Sequence, residues 1–454
     1  MKNTGQFDKM TQSPVERLIP SLALPMIISM LVTAIYNTAD TFFVSQINTS
    51  ASGAVGVVFS VMSIMQALGF LFGMGAGSNI SRLLGEKNYS RADEIASTAF
   101  VVTFVLGVFI AVFGMAFNRS IVSVLGATDT ILPYAQNYAM YIFIGTPFIC
   151  SSFVLNNIMR AQGRAFFSMV GLTFGGVLNI VLDPVFIFVF DMGIGGAAVA
   201  TLISQFISFV ILLVFCTRKS DMVALKLSAV SKKAVIYADI IKMGLPSFSR
   251  QALASIANIL LNIGAMAYGD AAVSAMSIVG RTSFIMTAVL LGFGQGFQPV
   301  AGFAYGARMY GRVRRAFKFT LLSGMAALMC LSAVCFFSAD NIIVLFRKSD
   351  ADVIMIGALA LKLQCATMFL QPVSIVSNML LQSVGKPVEA TLTSISRQGL
   401  FFIPIVLVLP HFAGLLGVQA SQPLSDVLAA VFCVYYIKKF FDEIPLEDEA
   451  VLKI

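Results

Sequence analysis

The sequence predicts an all-α polytopic membrane protein of about twelve transmembrane helices in two parallel six-helix lobes. Three observations predict it. Of 454 residues, 58% are hydrophobic and only 11% charged, less than half the charged share of a soluble domain. A bilayer core solvates that much apolar side chain, and water does not. Twelve apolar runs follow one another, each with the ~20 residues a span needs. The last six runs repeat the first six at a fixed offset.

The opening stretch, MKNTGQFDKMTQSPVERL, is polar and lacks the apolar core of a signal peptide, so the first run is expected to stay as a span. The first six runs lie at roughly 18–46, 52–84, 94–117, 134–159, 167–190 and 194–217. The second six lie at roughly 239–268, 272–305, 316–338, 353–383, 389–410 and 414–437. This gives a first lobe at 1–217, a linker at 218–238, a second lobe at 239–437 and an acidic tail at 438–454. With no Trp in the chain, an aromatic belt would fall to Tyr and Phe.

The net charge of +8 sits in short loops. With the N-terminus inside, the cytoplasmic loops hold Arg82, Lys87 and Arg91; Arg160 and Arg164; Arg218, Lys219, Lys226, Lys232 and Lys233; Arg308, Arg312, Arg314, Arg315 and Lys318; and Lys386. The opposite side holds Arg119, Arg347 and Lys348. The asymmetry places both termini in the cytoplasm and explains the charge without nucleic acid.

A shift of 221 positions superposes the halves. Leu24-Pro25 falls on Leu245-Pro246, Asn37 on Asn258, Gly73 and Gly75 on Gly294 and Gly296, Tyr89 on Tyr310 and Asn157 on Asn378. An even number of spans per half makes the repeats parallel, the arrangement of carriers that alternate access between two lobes. The glycine runs at 73–77 and 292–296 lack a following Lys-Ser or Lys-Thr and lie inside spans, so they read as helix-packing surfaces. No phosphate-binding loop occurs, so ATP hydrolysis in this chain powers nothing. The six Cys have no metal-type spacing and there is one His, His411; the cysteines read as small core residues. No nucleophile–base pair stands out, and no enzyme activity is expected.

Ionisable groups inside spans are costly and mark function by default. Here they are Asp40, Asp183, Arg250, Arg281, Arg397 and Asp426. Asp40, Asp183 and Thr201 each lie about seven residues from the outer end of their span, so all three sit roughly 10 Å below the outer surface. Asn179 is one turn from Asp183, and Tyr36 and Asn37 are one turn from Asp40. Two carboxyls, an amide and a hydroxyl can therefore converge, which is chemistry for a proton or a sodium ion. The shift replaces Asp40, Asn179, Asp183 and Thr201 by Leu261, Leu400, Pro404 and Gln422. A need common to both lobes would have kept them. Asp183 can also simply cap a break at Pro184. Arg250, Arg281, Arg397 and Asp426 either form buried ion pairs or line the cleft. Pro25 and Pro246 are expected to bend their helices, as static features or as part of gating.

Two six-helix lobes, the run Tyr36-Asn37-Thr38-Ala39-Asp40-Thr41 and the run Asn179-Ile180-Val181-Leu182-Asp183-Pro184 resemble the multidrug and toxic compound extrusion (MATE) family, in particular its bacterial DinF-like and MepA-like branch. The likeness covers about residues 15–437. It implies a V-shaped cleft and drug/cation antiport. It also implies a cation network of Asp40, Asn179, Asp183 and Thr201 with the backbone of Ala197, and accessory roles for Tyr36 and Pro25. The second-lobe carboxylates of sodium-dependent relatives are replaced here by Asn258, Asn262 and Asn378. The expected activity is thus export of cationic or amphipathic small molecules from a bacterium by proton antiport across the plasma membrane. No cofactor beyond the coupling ion and no obligate protein partner are expected. Sodium coupling and a lipid-linked oligosaccharide flippase, for which the three intramembrane arginines speak, are the alternatives; a membrane-embedded enzyme or a channel stands further off.

Overall fold

The computed structural model describes residues 4–217, 222–346, 350–445 and 448. Arg218, Lys219, Arg347, Lys348 and the last part of the tail lie outside the described residues. Among the described residues the secondary structure is helical, without strands.

The chain begins with α1 (Thr4–Gln12) and continues through α2 (Val15–Ser45), α3 (Thr49–Gly85), α4 (Tyr89–Ala116), α5 (Asn118–Val124), α6 (Leu132–Ala161), α7 (Ala165–Pro184) and α8 (Gly193–Cys216). The second half holds α9 (Ala234–Met266), α10 (Asp270–Gly306), α11 (Tyr310–Phe337), α12 (Ala339–Phe346), α13 (Ala351–Met368), α14 (Gln371–Val384), α15 (Pro387–Ile395), α16 (Ile403–Ala413) and α17 (Leu415–Glu443). Ten helical segments are long and apolar enough to cross a membrane. Helices α9 and α17, of 33 and 29 residues, also have the length but carry more polar and charged side chains. With them the expected set of about twelve spans is complete.

Three spans depart from simple rods, each for a local reason. The tenth breaks at Phe369–Leu370, where Pro372 opens α14. The fifth continues past Pro184 as a π turn, Val185–Val189, because proline removes a backbone donor from the ladder. The eleventh carries a π turn at Ser396–Phe402. By contrast α2 runs unbroken through Pro25, whose carbonyl accepts the Ser29 hydroxyl at 3.0 Å.

The repeat is visible in the backbone. Helices α3 and α10 each have 37 residues, α4 and α11 each 28, and both pairs start and end 221 positions apart. The turns after α3 and α10 match as well. Lys87 and Arg308, again 221 apart, take positive φ of 59° and 57°. Asn88 N donates to Leu83 O at 2.8 Å, and Met309 N to Ala304 O at 2.8 Å. Each turn ends its helix with the same left-handed residue and backward hydrogen bond.

Two compact units result. The first takes in α1 and Leu24–Gly244; the second takes in Pro14–Ala23 and the chain from Leu245 onward. The first turns of α2 therefore group with the second unit, and the first turns of α9 with the first. Within the first unit α6 is the hub: 72% of its most apolar window is buried, against 44% or less for the other spans. Its Ala135, Tyr138, Ile142 and Phe143 pack with Ala54 and Val58 of α3 and Ala197 and Ala198 of α8. Gly73 lies against the Phe153 backbone, and Gly75 against the Ile240 carbonyl, so the 73–77 glycine run is a packing surface. Four cysteines, Cys150, Cys216, Cys365 and Cys433, are buried and all six are free. Helix α1 is held by Gln6, whose amide donates to the carbonyls of Gln162 and Gly163 at 3.1 and 3.2 Å.

Candidate functional site

The site in the first unit is assembled by close helix approach. Gly175 lets α7 come against α8: a Cβ there would lie 2.8 Å from Ser208 Cβ. Gly196 does the same for the start of α8 against the π turn, where a Cβ would lie 2.6 Å from Phe186 O. Asn179 and Asp183 thereby face Thr201, with α2 and α6 supplying Asp40 and Tyr138. All five are buried: Asp40 is 9% exposed, Thr201 3%, Asn179 2%, Asp183 and Tyr138 0%.

The hydrogen bonds form two arms. In one, the Tyr138 hydroxyl donates to Asp40 Oδ2 at 3.2 Å. In the other, Asn179 Nδ2 donates to Asp183 Oδ1 at 3.1 Å and to Thr201 Oγ1 at 3.2 Å. Three acceptors stay unfilled: Asp40 Oδ1, Asp183 Oδ2 and Asn179 Oδ1 are buried, and no donor among the described residues reaches them. Buried carboxylate oxygens without a donor are expensive, and the remedy is a cation or a proton. An all-oxygen set suits a proton or a hard cation.

Asp40, Asn179, Asp183 and Thr201 come together in this unit as their depths imply. Ala197 is fully buried on α8, one turn before Thr201. Among the described residues neither the Tyr36 nor the Asn37 side chain makes a hydrogen bond to the carboxylates. Tyr36 instead packs beside Gly176, 3.3 Å from where its Cβ would be. Besides Thr201, a second hydroxyl comes from Tyr138, which the sequence pattern does not single out. Its signal was a hydroxyl-bearing side chain inside an apolar run, which counts as aromatic rather than polar. Asp183 does not cap the break at Pro184, because its carboxylate takes Asn179 Nδ2 and no backbone N–H.

The second unit resolves its charges differently. Asp426 is paired with Arg397 at 2.6 Å. Arg250 donates to Asn378 Oδ1 at 3.4 Å, while Asn378 Nδ2 bonds Ala390 O at 2.5 Å. Arg281 and the asparagines Asn258 and Asn262 are exposed.

Twelve spanning helices in two repeated units, with a charged oxygen cage inside one of them, define an integral membrane transport protein of the two-repeat class. The MatE family model matches the chain twice, at residues 25–185 and 246–408, and the chain belongs to that family. The two matches begin 221 positions apart, the offset of the internal repeat. Among curated proteins, the chain is 29% identical to "Multidrug export protein MepA" of Staphylococcus aureus (strain NCTC 8325 / PS 47), over 94% of this chain and 95% of that one. It is 26% identical to the protein of the same name from Staphylococcus haemolyticus, over 98% of both. Among solved structures it resembles an outward-facing conformation of a multidrug resistance MATE family transporter of the MOP superfamily, with a TM-score of 0.92 and 27% identity, covering 97% of this chain and 99% of that one. A MATE structure in complex with MaL6 matches with the same TM-score at 26% identity, over 97% and 99%.

Proposed function

We propose that the chain is a secondary active exporter of cationic or amphipathic small molecules, driven by antiport with protons across a bacterial plasma membrane, with both termini cytoplasmic. The observation that carries this reading is the trio of buried, donor-less oxygens on Asp40, Asp183 and Asn179. A proton on the carboxyl pair supplies the missing donor and removes a buried charge. Facing outward, the pair takes up a proton, and a cationic substrate loses the charge that held it. Facing inward, the pair releases the proton and binds cargo again.

The two ligands need not touch; they need only prefer different states of the carrier. Tyr138 and Asn179 orient one carboxyl each, and Thr201 occupies the second amide hydrogen of Asn179. A one-for-one exchange of a proton for a monovalent cation moves no net charge and is driven by the pH gradient alone, about tenfold accumulation per pH unit; each further proton draws about 2.3 kcal/mol per 100 mV from the membrane potential. The multidrug export proteins at 26–29% identity support the substrate class. So does the abundance of Met and Phe, 23 and 40 residues, which offers a soft surface for varied flat amphipaths.

The test is ethidium movement in proteoliposomes under an imposed proton gradient without sodium, for the wild type and Asp40→Asn. Wild-type movement lost in Asp40→Asn is the expected result. Movement that needs added sodium transfers the same cage to sodium coupling. No movement under either gradient defeats the drug-export reading, and lipid-linked anionic cargo becomes the next substrate to try.

A further inference from the structure

A second intramembrane cluster lies wholly in the second unit, and its chemistry is the reverse of the first. Asp426 on α17 is fully buried, and each of its oxygens takes two donors. Oδ1 accepts Arg397 Nε at 2.6 Å and Gln422 Nε2 at 3.0 Å. Oδ2 accepts Gln364 Nε2 at 3.0 Å and Gln371 Nε2 at 3.2 Å. Gln371 is itself held by Thr287 at 3.1 Å. With its acceptors filled and its charge matched, Asp426 has no room for a proton or a cation.

The opening is on the arginine. A guanidinium carries five N–H donors in a planar fork, and Arg397 spends one of them, Nε. Among the described residues neither Nη makes a hydrogen bond, and neither is sealed from its surroundings; the side chain is 18% exposed. Its position is fixed at both ends. Nε is anchored on Asp426, and the Arg397 carbonyl accepts the Ser425 hydroxyl. The residue also sits in the π turn Ser396–Phe402, a backbone feature concentrated at functional sites. An end-on ion pair thus holds a cation still and leaves its two Nη groups side by side, the geometry that grips a carboxylate or phosphate through two parallel hydrogen bonds.

We propose that Arg397 is an oxyanion-binding site within the membrane domain, so that the preferred cargo is amphipathic and zwitterionic: an organic cation that also carries a carboxylate. Asp426 and the three glutamines position the guanidinium and do not touch cargo. This rests on the export reading above and narrows its substrate class.

The experiment uses two dyes that differ in one group, rhodamine B with its free carboxylate and its ethyl ester, in proteoliposomes of zwitterionic phospholipid. Apparent KM is measured for the wild type, Arg397→Gln and Arg397→Lys. The expected result is that Arg397→Gln raises KM for the carboxylate dye about tenfold more than for the ester, the loss of one charge-assisted pair, with Arg397→Lys in between. Because Arg397→Gln leaves Asp426 without its cation, the double variant Arg397→Gln/Asp426→Asn is measured as well, and the same tenfold difference is expected. Equal changes for both dyes, or no change, overturn the assignment while leaving export standing. A wild type that moves neither dye overturns both. If adding anionic phospholipid to the vesicles erases the wild-type preference, the guanidinium belongs to a lipid headgroup and the substrate assignment fails.

Discussion

Gly244→Ala has a cost that can be worked from the structure. Gly244 lies where the first turns of α9 meet α3, and a Cβ on it would fall 1.7 Å from the carbonyl oxygen of Leu71. The facing residue is also glycine: a Cβ on Gly75 would fall 2.1 Å from the carbonyl oxygen of Ile240. Both neighbours are backbone, so no rotamer change relieves either clash. To reach an ordinary 3.4 Å contact at Gly244, the helices must part by about 1.7 Å. Overpacking costs roughly 1–3 kcal/mol where side chains can yield, and here they cannot, so the gross cost is put at about 3 kcal/mol or more. Alanine returns up to about 1 kcal/mol of helix propensity, leaving a net loss of about 2 kcal/mol. The control is Gly280→Ala, where a Cβ meets nothing within 4 Å; it should be neutral or gain up to about 1 kcal/mol. Thermal unfolding in detergent, read by the folded monodisperse fraction, compares them. The double variant Gly75→Ala/Gly244→Ala should lose less than the sum, because one parting of the helices serves both. If Gly244→Ala melts with Gly280→Ala, the crossing is looser than described and the reasoning fails. The repeat offers a parallel: a Cβ on Gly296, the counterpart of Gly75, would fall 2.6 Å from the backbone of Ala23, which occupies the place of Gly244. One glycine suffices there and two are required here.

Other expectations follow from the two polar clusters and the C-terminal end of α17. Asp183→Asn should abolish gradient-driven transport while leaving the melting temperature unchanged or higher, since it discharges a buried oxygen that has no donor; a drop as large as that of a core truncation would mark Asp183 as structural. Asp426→Ala should destabilise strongly, by about 3–5 kcal/mol, because Arg397 is left charged and unpaired, whereas replacing Arg397 and Asp426 together by apolar residues of similar volume should recover most of that loss; denaturation of single and double variants in detergent decides it. The exposed Lys386–Glu443 pair, 2.7 Å apart, should matter little. The ammonium holds the Glu443 carboxyl below its ordinary 4.5, and the carboxylate holds Lys386 above its ordinary 10.5. The pair therefore contributes steadily between those pH values, weakens as acid protonates Glu443 and weakens again as alkali discharges Lys386. Glu443→Gln should lower the melting temperature by no more than about a degree across that window.

Much of this was legible in the sequence because bilayer physics writes itself into composition. Spans show as apolar runs, and the repeat shows as one offset that later governs helix lengths, loop turns and even the residue held at positive φ. Asp40, Asn179, Asp183 and Thr201 stood out because polar atoms are scarce at that depth. Tyr138 did not, since a tyrosine in an apolar run looks like packing until its hydroxyl is placed against a carboxylate. Tyr36 and Asn37 share a face with Asp40 one turn away, but only tertiary packing decides which side chain bonds it, and the hydrogen-bond donor is Tyr138 of α6. The cluster around Asp426 draws on α10, α13, α14, the π turn and α17, with bonded partners up to 84 positions apart, so no local pattern announces it. Helix α1 was missed because nine residues are too few to signal a span, and its docking depends on carbonyls far along the chain.

The central claim is that cargo and proton compete through the Asp40/Asp183 cage, and proton release on binding tests it most directly. Purified protein in weakly buffered detergent, near neutral pH, is mixed with ethidium while a pH dye reports. The account predicts about one proton released per ethidium bound by the wild type, and none by Asp40→Asn or Asp183→Asn. Ethidium that binds the wild type without releasing a proton, or a release that persists in both variants, would contradict it.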